Sequence, residues 1–225
     1  MRYVLIPGGG GAAWYWHRVT PLLQAAGHHV VAVDLPGDDE AAGLDAYAEL
    51  ASAAIGGRAD TVLVAQSLGG FTAAVACARA PIAMLVFVNA MIPLPEETPG
   101  EWFDHTAHEA ARLDAAKRGG YGTTFDLHKY FLHDVPPEIV AAGAPHQRPE
   151  AEVVFASRCH FERWPDIPIH AVGGAEDRFF PIDFQRRVAR ERLGRELAVV
   201  PGGHLCALSR PHELVDRLLG LPAAG

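Results

Sequence analysis

Apolar residues fall along this chain in short, unbroken runs separated by longer stretches of mixed polarity. Six β-rich runs cover residues 2–6, 29–34, 61–66, 84–89, 168–173 and 196–200. Most are continuous rather than alternating, the pattern of strands covered on both faces, as in a parallel sheet. The stretches between them read as helices across 44–55, 68–79, 181–192 and 211–219. A shorter helix is predicted with Thr20 as N-cap and Pro21 in its first turn, running to Ala26 and stopped by Gly27. Strands alternating with helices define an α/β fold class: a doubly wound, mostly parallel six-stranded sheet.

One interval breaks the alternation. Residues 91–165 show no convincing strand and hold helical stretches around 101–118, 136–142 and 149–157. Pro93, Pro95 and Pro99 mark where it leaves the sheet; Trp164, Pro165 and Pro168 mark its return. An insertion after the fourth strand that later rejoins the sheet reads as a helical cap over the strands' carboxyl ends. The expected organisation is therefore a core of residues 1–90 and 166–225 with a cap of residues 91–165. The cap is rich in aromatics, and Trp102, Tyr130 and Phe131 are the candidates to line an apolar substrate pocket.

A chain of 225 residues is long enough for one large domain with a buried core. Its net charge of −8, without a basic run, argues against a nucleic-acid surface. No apolar stretch approaches the roughly 20 residues that span a bilayer, and the first residues enter a strand without a signal-peptide pattern. Cys77, Cys159 and Cys206 are far apart and lack CxxC spacing, which fits a reducing compartment rather than a disulfide framework or a zinc site. The expectation is a cytoplasmic protein that acts on a small molecule. Nothing in the pattern fixes its oligomeric state.

The third strand ends in Ala65-Gln66-Ser67-Leu68-Gly69-Gly70, a serine between small residues at a strand-to-helix junction. That is the form of a nucleophile elbow, in which strand and helix backbones nearly touch and the hydroxyl stands out on a strained turn. A serine needs a base to take its proton, and the imidazole needs an acid to orient it. Both partners follow, in the order serine, acid, histidine. Asp177 lies beyond the fifth strand, in Gly173-Gly174-Ala175-Glu176-Asp177, and His204 lies beyond the sixth, in Pro201-Gly202-Gly203-His204. Glu176 is an alternative acid. Open α/β sheets bind their ligands at the carboxyl ends of strands, where all three residues fall.

The loop after the first strand, from Pro7 through four glycines to Trp14, suits an oxyanion hole, because backbone N–H groups there have no side chain in the way. The candidate donors are the amides of Gly9, with Gly10 as the alternative, and of Leu68. The same loop also spells Gly8-x-Gly10-x-x-Ala13, with Asp34 ending the second strand, as in a dinucleotide fingerprint. That reading needs a helix starting in the glycines, which would bury Pro21 inside it and crowd the pyrophosphate with Trp14, Tyr15, Trp16 and His17. No Walker A sequence is present. His105 and His108 fall at i, i+3 on a predicted helix without further ligand residues nearby, so neither a metal nor a cofactor is expected.

These residues resemble the α/β-hydrolase superfamily over essentially the whole chain. The stretch VLIPGGGGAAWYWHRVTPLLQAAGHHVVAVDLPG is similar to the small branch that contains plant methylesterases and hydroxynitrile lyases, as is the ending PGGHLCALSRPHEL. The resemblance implies a Ser67, Asp177 and His204 triad with Gly9 and Leu68 as oxyanion donors. Pro7 replaces the histidine usual before the oxyanion glycine, and Asp38-Asp39 replaces a usual His-Gly. Lyases of this branch carry a lysine after the histidine and a threonine in the first loop; here those positions hold Leu205 and Gly8 or Gly9. A carboxylesterase acting on a small, largely apolar ester is the expected function. Lyase, C–C bond hydrolase and acyl-transfer chemistry, or a non-catalytic ligand receptor, are the alternatives.

Overall fold

The six apolar runs become six strands of one sheet in the computed structural model, which describes residues 1–222. They are β1 (Arg2–Ile6), β2 (His29–Ala32), β3 (Thr61–Gln66), β4 (Met84–Val88), β5 (Ile169–Gly174) and β6 (Leu197–Val200). Their order is β2-β1-β3-β4-β5-β6, and every neighbouring pair is parallel. The switch in direction of winding lies between β1 and β3, which puts the loops that follow these two strands side by side. All residues of β3 and β4 are buried, the burden of central strands covered on both faces.

Ten α-helices accompany the strands among the described residues. In chain order they are α1 (Thr20–Ala25), α2 (Leu44–Ile55), α3 (Gly69–Arg79), α4 (Pro99–His105) and α5 (His108–Gly119). They continue with α6 (Pro137–Gly143), α7 (Glu152–Ala156), α8 (Ile182–Leu193), α9 (Cys206–Ser209) and α10 (Pro211–Leu219). Alternate strand side chains feed two cores, as the two-residue period requires. Val4, Ile6, Leu63 and Phe87 pack with α2, α3 and α8 on one side. Tyr3, Leu5, Val64 and Val86 pack on the other side with Leu23 of α1 and with Leu214, Val215 and Leu218 of α10.

Thr20 is the first residue of α1 rather than its cap. The chain arrives through a 3-10 turn at Ala13–Trp16 and is already helical at Val19, so no extended residue is available to cap. Between β4 and β5 no strand occurs among the described residues. The single helix predicted over 101–118 is two, α4 and α5, divided at Ala107, whose φ of 50° breaks the hydrogen-bond ladder. A complete capping box, Thr98 with Glu101, starts α4 two residues before the predicted boundary. A π-helical turn at His128–Leu132 has no counterpart in the prediction.

Candidate active site

Ser67 occupies the turn between β3 and α3 with φ of 51°, a left-handed conformation that non-glycine residues seldom adopt. The glycines after it are required by space. A Cβ at Gly69 would run into the Pro7 carbonyl, and one at Gly70 into the Met91 carbonyl. A Cβ at Gly8 would likewise approach the Cβ of Ser67 to 2.8 Å. The loop after β1 therefore lies directly against the elbow because glycine lets it.

Asp177, past the end of β5, and His204, past the end of β6, meet at Ser67. His204 Nε2 is 3.0 Å from Ser67 Oγ, and its Nδ1 is 2.8 Å from Asp177 Oδ2. A carboxylate only accepts, so the neutral ring carries its proton on Nδ1 and leaves Nε2 free to accept from the serine hydroxyl. The other carboxylate oxygen, Oδ1, accepts from the Phe179 and Phe180 amides, both at 2.8 Å. Glu176 turns elsewhere, to the Gly202 amide. Phe131, Phe179 and Phe180 stand edge-on to the His204 ring with centroids 4.7, 5.4 and 5.0 Å away, leaving it little room to rotate.

Two buried amides tie these loops together, and the sequence reading missed both. Asn89, just past β4 with φ of 45°, donates from Nδ2 to the Gly203 and His204 carbonyls, both at 3.0 Å. Its Oδ1 accepts from the Gly174 amide at 2.6 Å. Gln185 of α8 donates to Asp177 Oδ2 at 3.2 Å and to the Phe180 carbonyl at 2.7 Å. Asn89 alone stands out in an apolar stretch, which marks it as buried without naming its partners, and Gln185 sits among charged residues that give no signal.

The Gly9 and Leu68 amides have no acceptor among the described residues, whereas the Gly10 amide donates to Glu150 Oε2 at 2.5 Å. Gly9 and Leu68 both border a cavity of about 680 Å³ that opens over Ser67. Phe103, Phe125, Phe131, Phe155 and Phe179 give this cavity a mostly apolar wall.

Of the three cap aromatics predicted to line it, only Phe131 does. Trp102 is fully buried in the core against Phe180 and Phe184, and its indole donates to the Ile92 carbonyl at 3.0 Å. Tyr130 is also fully buried, stacked on Phe125 with its hydroxyl on the Gly122 carbonyl at 2.9 Å. In a helix successive side chains are ~100° apart, so the neighbours Phe103 and Phe131 take the cavity face.

The remaining sequence candidates have structural duties. Asp34 accepts from the Ala13 amide at 2.9 Å and pairs with Arg148 through both its oxygens. No helix begins in the glycines, since the loop passes into the turn at Ala13–Trp16. His105 pairs with Glu97 at 2.8 Å, while His108 donates to the Phe179 carbonyl at 2.8 Å, so the two rings turn to different partners. Cys206 is fully buried, which pushes its thiol well above the ordinary range and away from thiolate chemistry.

A parallel sheet in this order, with a serine elbow, an acid and a histidine at three strand ends, is the plan of an α/β-hydrolase. The family model of the alpha/beta hydrolase family matches residues 3–217, and the chain belongs to that family. Methylesterase 3 of Arabidopsis thaliana is 35% identical over 96% of this chain and 94% of its own length. Polyneuridine aldehyde esterase of Rauvolfia serpentina is 26% identical over 98% of this chain and 95% of its length. A crystal structure of polyneuridine aldehyde esterase covers 97% of both chains with a TM-score of 0.79 and 22% identity.

Proposed function

We propose that the protein is a serine carboxylesterase that cleaves a small, largely apolar ester through an acyl-enzyme and draws no cofactor into the reaction. The carrying observation is the continuous hydrogen-bonded line from Ser67 Oγ through His204 to Asp177 at the floor of an apolar cavity. The esterases to which the chain is similar support the same class.

In the first half-reaction His204 Nε2 takes the Ser67 proton as Oγ bonds to the ester carbonyl carbon. Asp177 holds the tautomer that makes this possible and stabilises the imidazolium that results. The amides of Gly9 and Leu68 receive the developing oxyanion; each such donor typically contributes about 2.7–4 kcal/mol. The tetrahedral intermediate collapses, His204 gives its proton to the departing alcohol, and the acyl group stays on Ser67. Water then attacks the acyl-enzyme by the same proton route and releases the acid. The phenylalanine wall favours apolar groups and keeps bulk water from the charged intermediate. Leu205 borders the cavity next to His204, so no cation stands there to stabilise a leaving cyanide.

A fluorophosphonate probe should label native protein at Ser67, and Ser67→Ala should lose both labelling and hydrolysis of p-nitrophenyl acetate. Ligand binding by wild type without labelling or turnover would instead make the protein a receptor on a hydrolase fold.

A further inference from the structure

The glycine loop after β1 closes one turn of its own, the Gly11 N–H donating to the Gly8 carbonyl at 3.0 Å, and is held from outside as well. Residues 148–151, in the inserted segment just before α7, grip it at several points. Glu150 Oε2 accepts from the Gly10 N–H at 2.5 Å, and Glu150 Oε1 accepts from the Tyr47 hydroxyl at 2.9 Å. Arg148 Nε donates to the Gly10 carbonyl at 3.0 Å, so the two polar backbone groups of one glycine are held by two cap side chains. Arg148 also pairs with Asp34, which accepts from Ala13 farther along the same loop. The Ala151 amide adds a contact to the neighbouring loop after β2, on the Gly37 carbonyl at 2.7 Å.

Within that turn Gly10 is the residue whose own N–H and carbonyl are both taken by the cap. Its φ is +80°, a conformation open to glycine and therefore weakly fixed by local sterics. The peptide that carries the Gly10 N–H also carries the Gly9 carbonyl, so fixing its plane limits how the Gly9 amide can turn. Glu150 is also the nearest neighbour on the side-chain side of Gly9: a Cβ built there would lie 3.9 Å from Oε2.

We propose that Glu150 is a positioning residue for the oxyanion loop, its carboxylate engaging the Gly10 amide so that the Gly9 amide, paired with that of Leu68, is presented to the substrate oxygen. This rests on the hydrolase reading above. It makes the cap part of transition-state stabilisation as well as of the pocket wall. It also decides between two adjacent glycines: the Gly10 N–H is spent on Glu150, and the Gly9 N–H is left for the oxyanion.

The test separates ground-state from transition-state effects. Kinetics of p-nitrophenyl acetate hydrolysis are measured beside the affinities for benzyl trifluoromethyl ketone, which forms an oxyanion on the serine, and for benzyl alcohol, which does not. Glu150→Ala should lower kcat about 10- to 100-fold with KM within about twofold, because a misplaced donor acts on the transition state. The trifluoromethyl ketone should weaken by a similar factor and benzyl alcohol should not. Glu150→Gln keeps an acceptor oxygen and should recover most of the loss. Glu150→Met fills the same space without an acceptor and should match Glu150→Ala even if the smaller residue unsettles the fold. Unchanged trifluoromethyl ketone affinity in both Glu150→Ala and Glu150→Met would overturn the inference, as would a glutamine variant no better than methionine. A wild type that neither turns over ester nor takes the fluorophosphonate label removes the hydrolase reading itself, and this inference with it.

Discussion

Ser67, Asp177 and His204 stand on loops that leave the carboxyl ends of β3, β5 and β6, whereas Phe103, Phe131 and Glu150 reach the same cavity from the insertion between β4 and β5. The first group is placed by the sheet. Parallel pairing sets the strand ends at fixed spacings, and buried Asn89 and Gln185 lace the loops across them. The second group is placed by side chains, through a few pins. Asp134 accepts from the Gly203 amide at 2.7 Å, His133 donates to the Glu176 carbonyl at 3.1 Å, and Arg148 and Glu150 hold the glycine loop. Sheet-borne groups should therefore govern the chemical step, while the inserted segment governs what enters and how well the oxyanion loop is held.

The sharpest way to break that contrast is Asp177→Asn. An amide presents the wrong hydrogen-bonding partner to Nδ1 and favours the tautomer that cannot take the serine proton, so kcat should fall about 10⁴-fold with the fold intact. Glu176→Gln should cost little turnover, because that side chain serves the Gly202 amide. Steady-state kinetics of both, with circular dichroism to confirm folding, decide the matter. Comparable losses would mean that the acid assignment is wrong.

What the sequence made legible divides along the same line. The strands and the elbow carry local signatures: an unbroken apolar run, small residues around Ser67, glycines before Asp177 and His204. Local signatures survive without any knowledge of the partner. Asn89 and Gln185 have none: the backbone partners of Asn89 lie 85 to 115 positions away, and Gln185 reaches Asp177 and Phe180, eight and five positions back, only once α8 has folded against their loop. The cap aromatics failed for another reason. Trp102 and Phe103, like Tyr130 and Phe131, are adjacent and equally apolar, and only the phase of a short helix decides which of each pair is core. The sequence suggests one helix over 101–118, but the chain divides into α4 and α5 at Ala107, so a phase read along that stretch does not hold.

A paired substitution sharpens this. Trp102→Ala should destabilise the protein by about 3–5 kcal/mol, the usual cost of emptying a buried aromatic site, with a much smaller effect on turnover by the molecules that remain folded. Phe131→Ala should do the reverse: a modest loss of stability, with KM for apolar esters raised several-fold and a smaller drop in kcat as His204 gains freedom. Urea denaturation and kinetics on both variants read the two axes separately. If Trp102→Ala were the more damaging to KM, the placement of Trp102 in the core and of Phe131 on the cavity would be wrong.

The smallest effect on turnover, and the last difference between the two regions, concerns acid. Glu97, just before α4, is buried with Arg192 of α8, which contacts both its oxygens, and it also accepts from the Leu94 amide and pairs with His105. Burial alone would raise its carboxyl pKa, but Arg192, His105 and the Leu94 amide outweigh it and hold the group below its ordinary value of 4.5. A carboxyl depressed in the folded state contributes stability in full above its unfolded pKa and loses it as pH falls through the folded one. The urea midpoint of wild type should thus exceed that of Glu97→Gln most clearly near neutrality, and the gap should narrow as pH drops below 4.5. Breaking a buried pair by removing one partner leaves the other charge unpaired, so the glutamine variant starts lower and titrates less. Turnover at neutral pH should change little in this variant, because Glu97 joins the insertion to α8 and touches none of the groups at Ser67. A gap that widened on acidification would mean that Glu97 is protonated in the folded protein and that the inserted segment is anchored elsewhere.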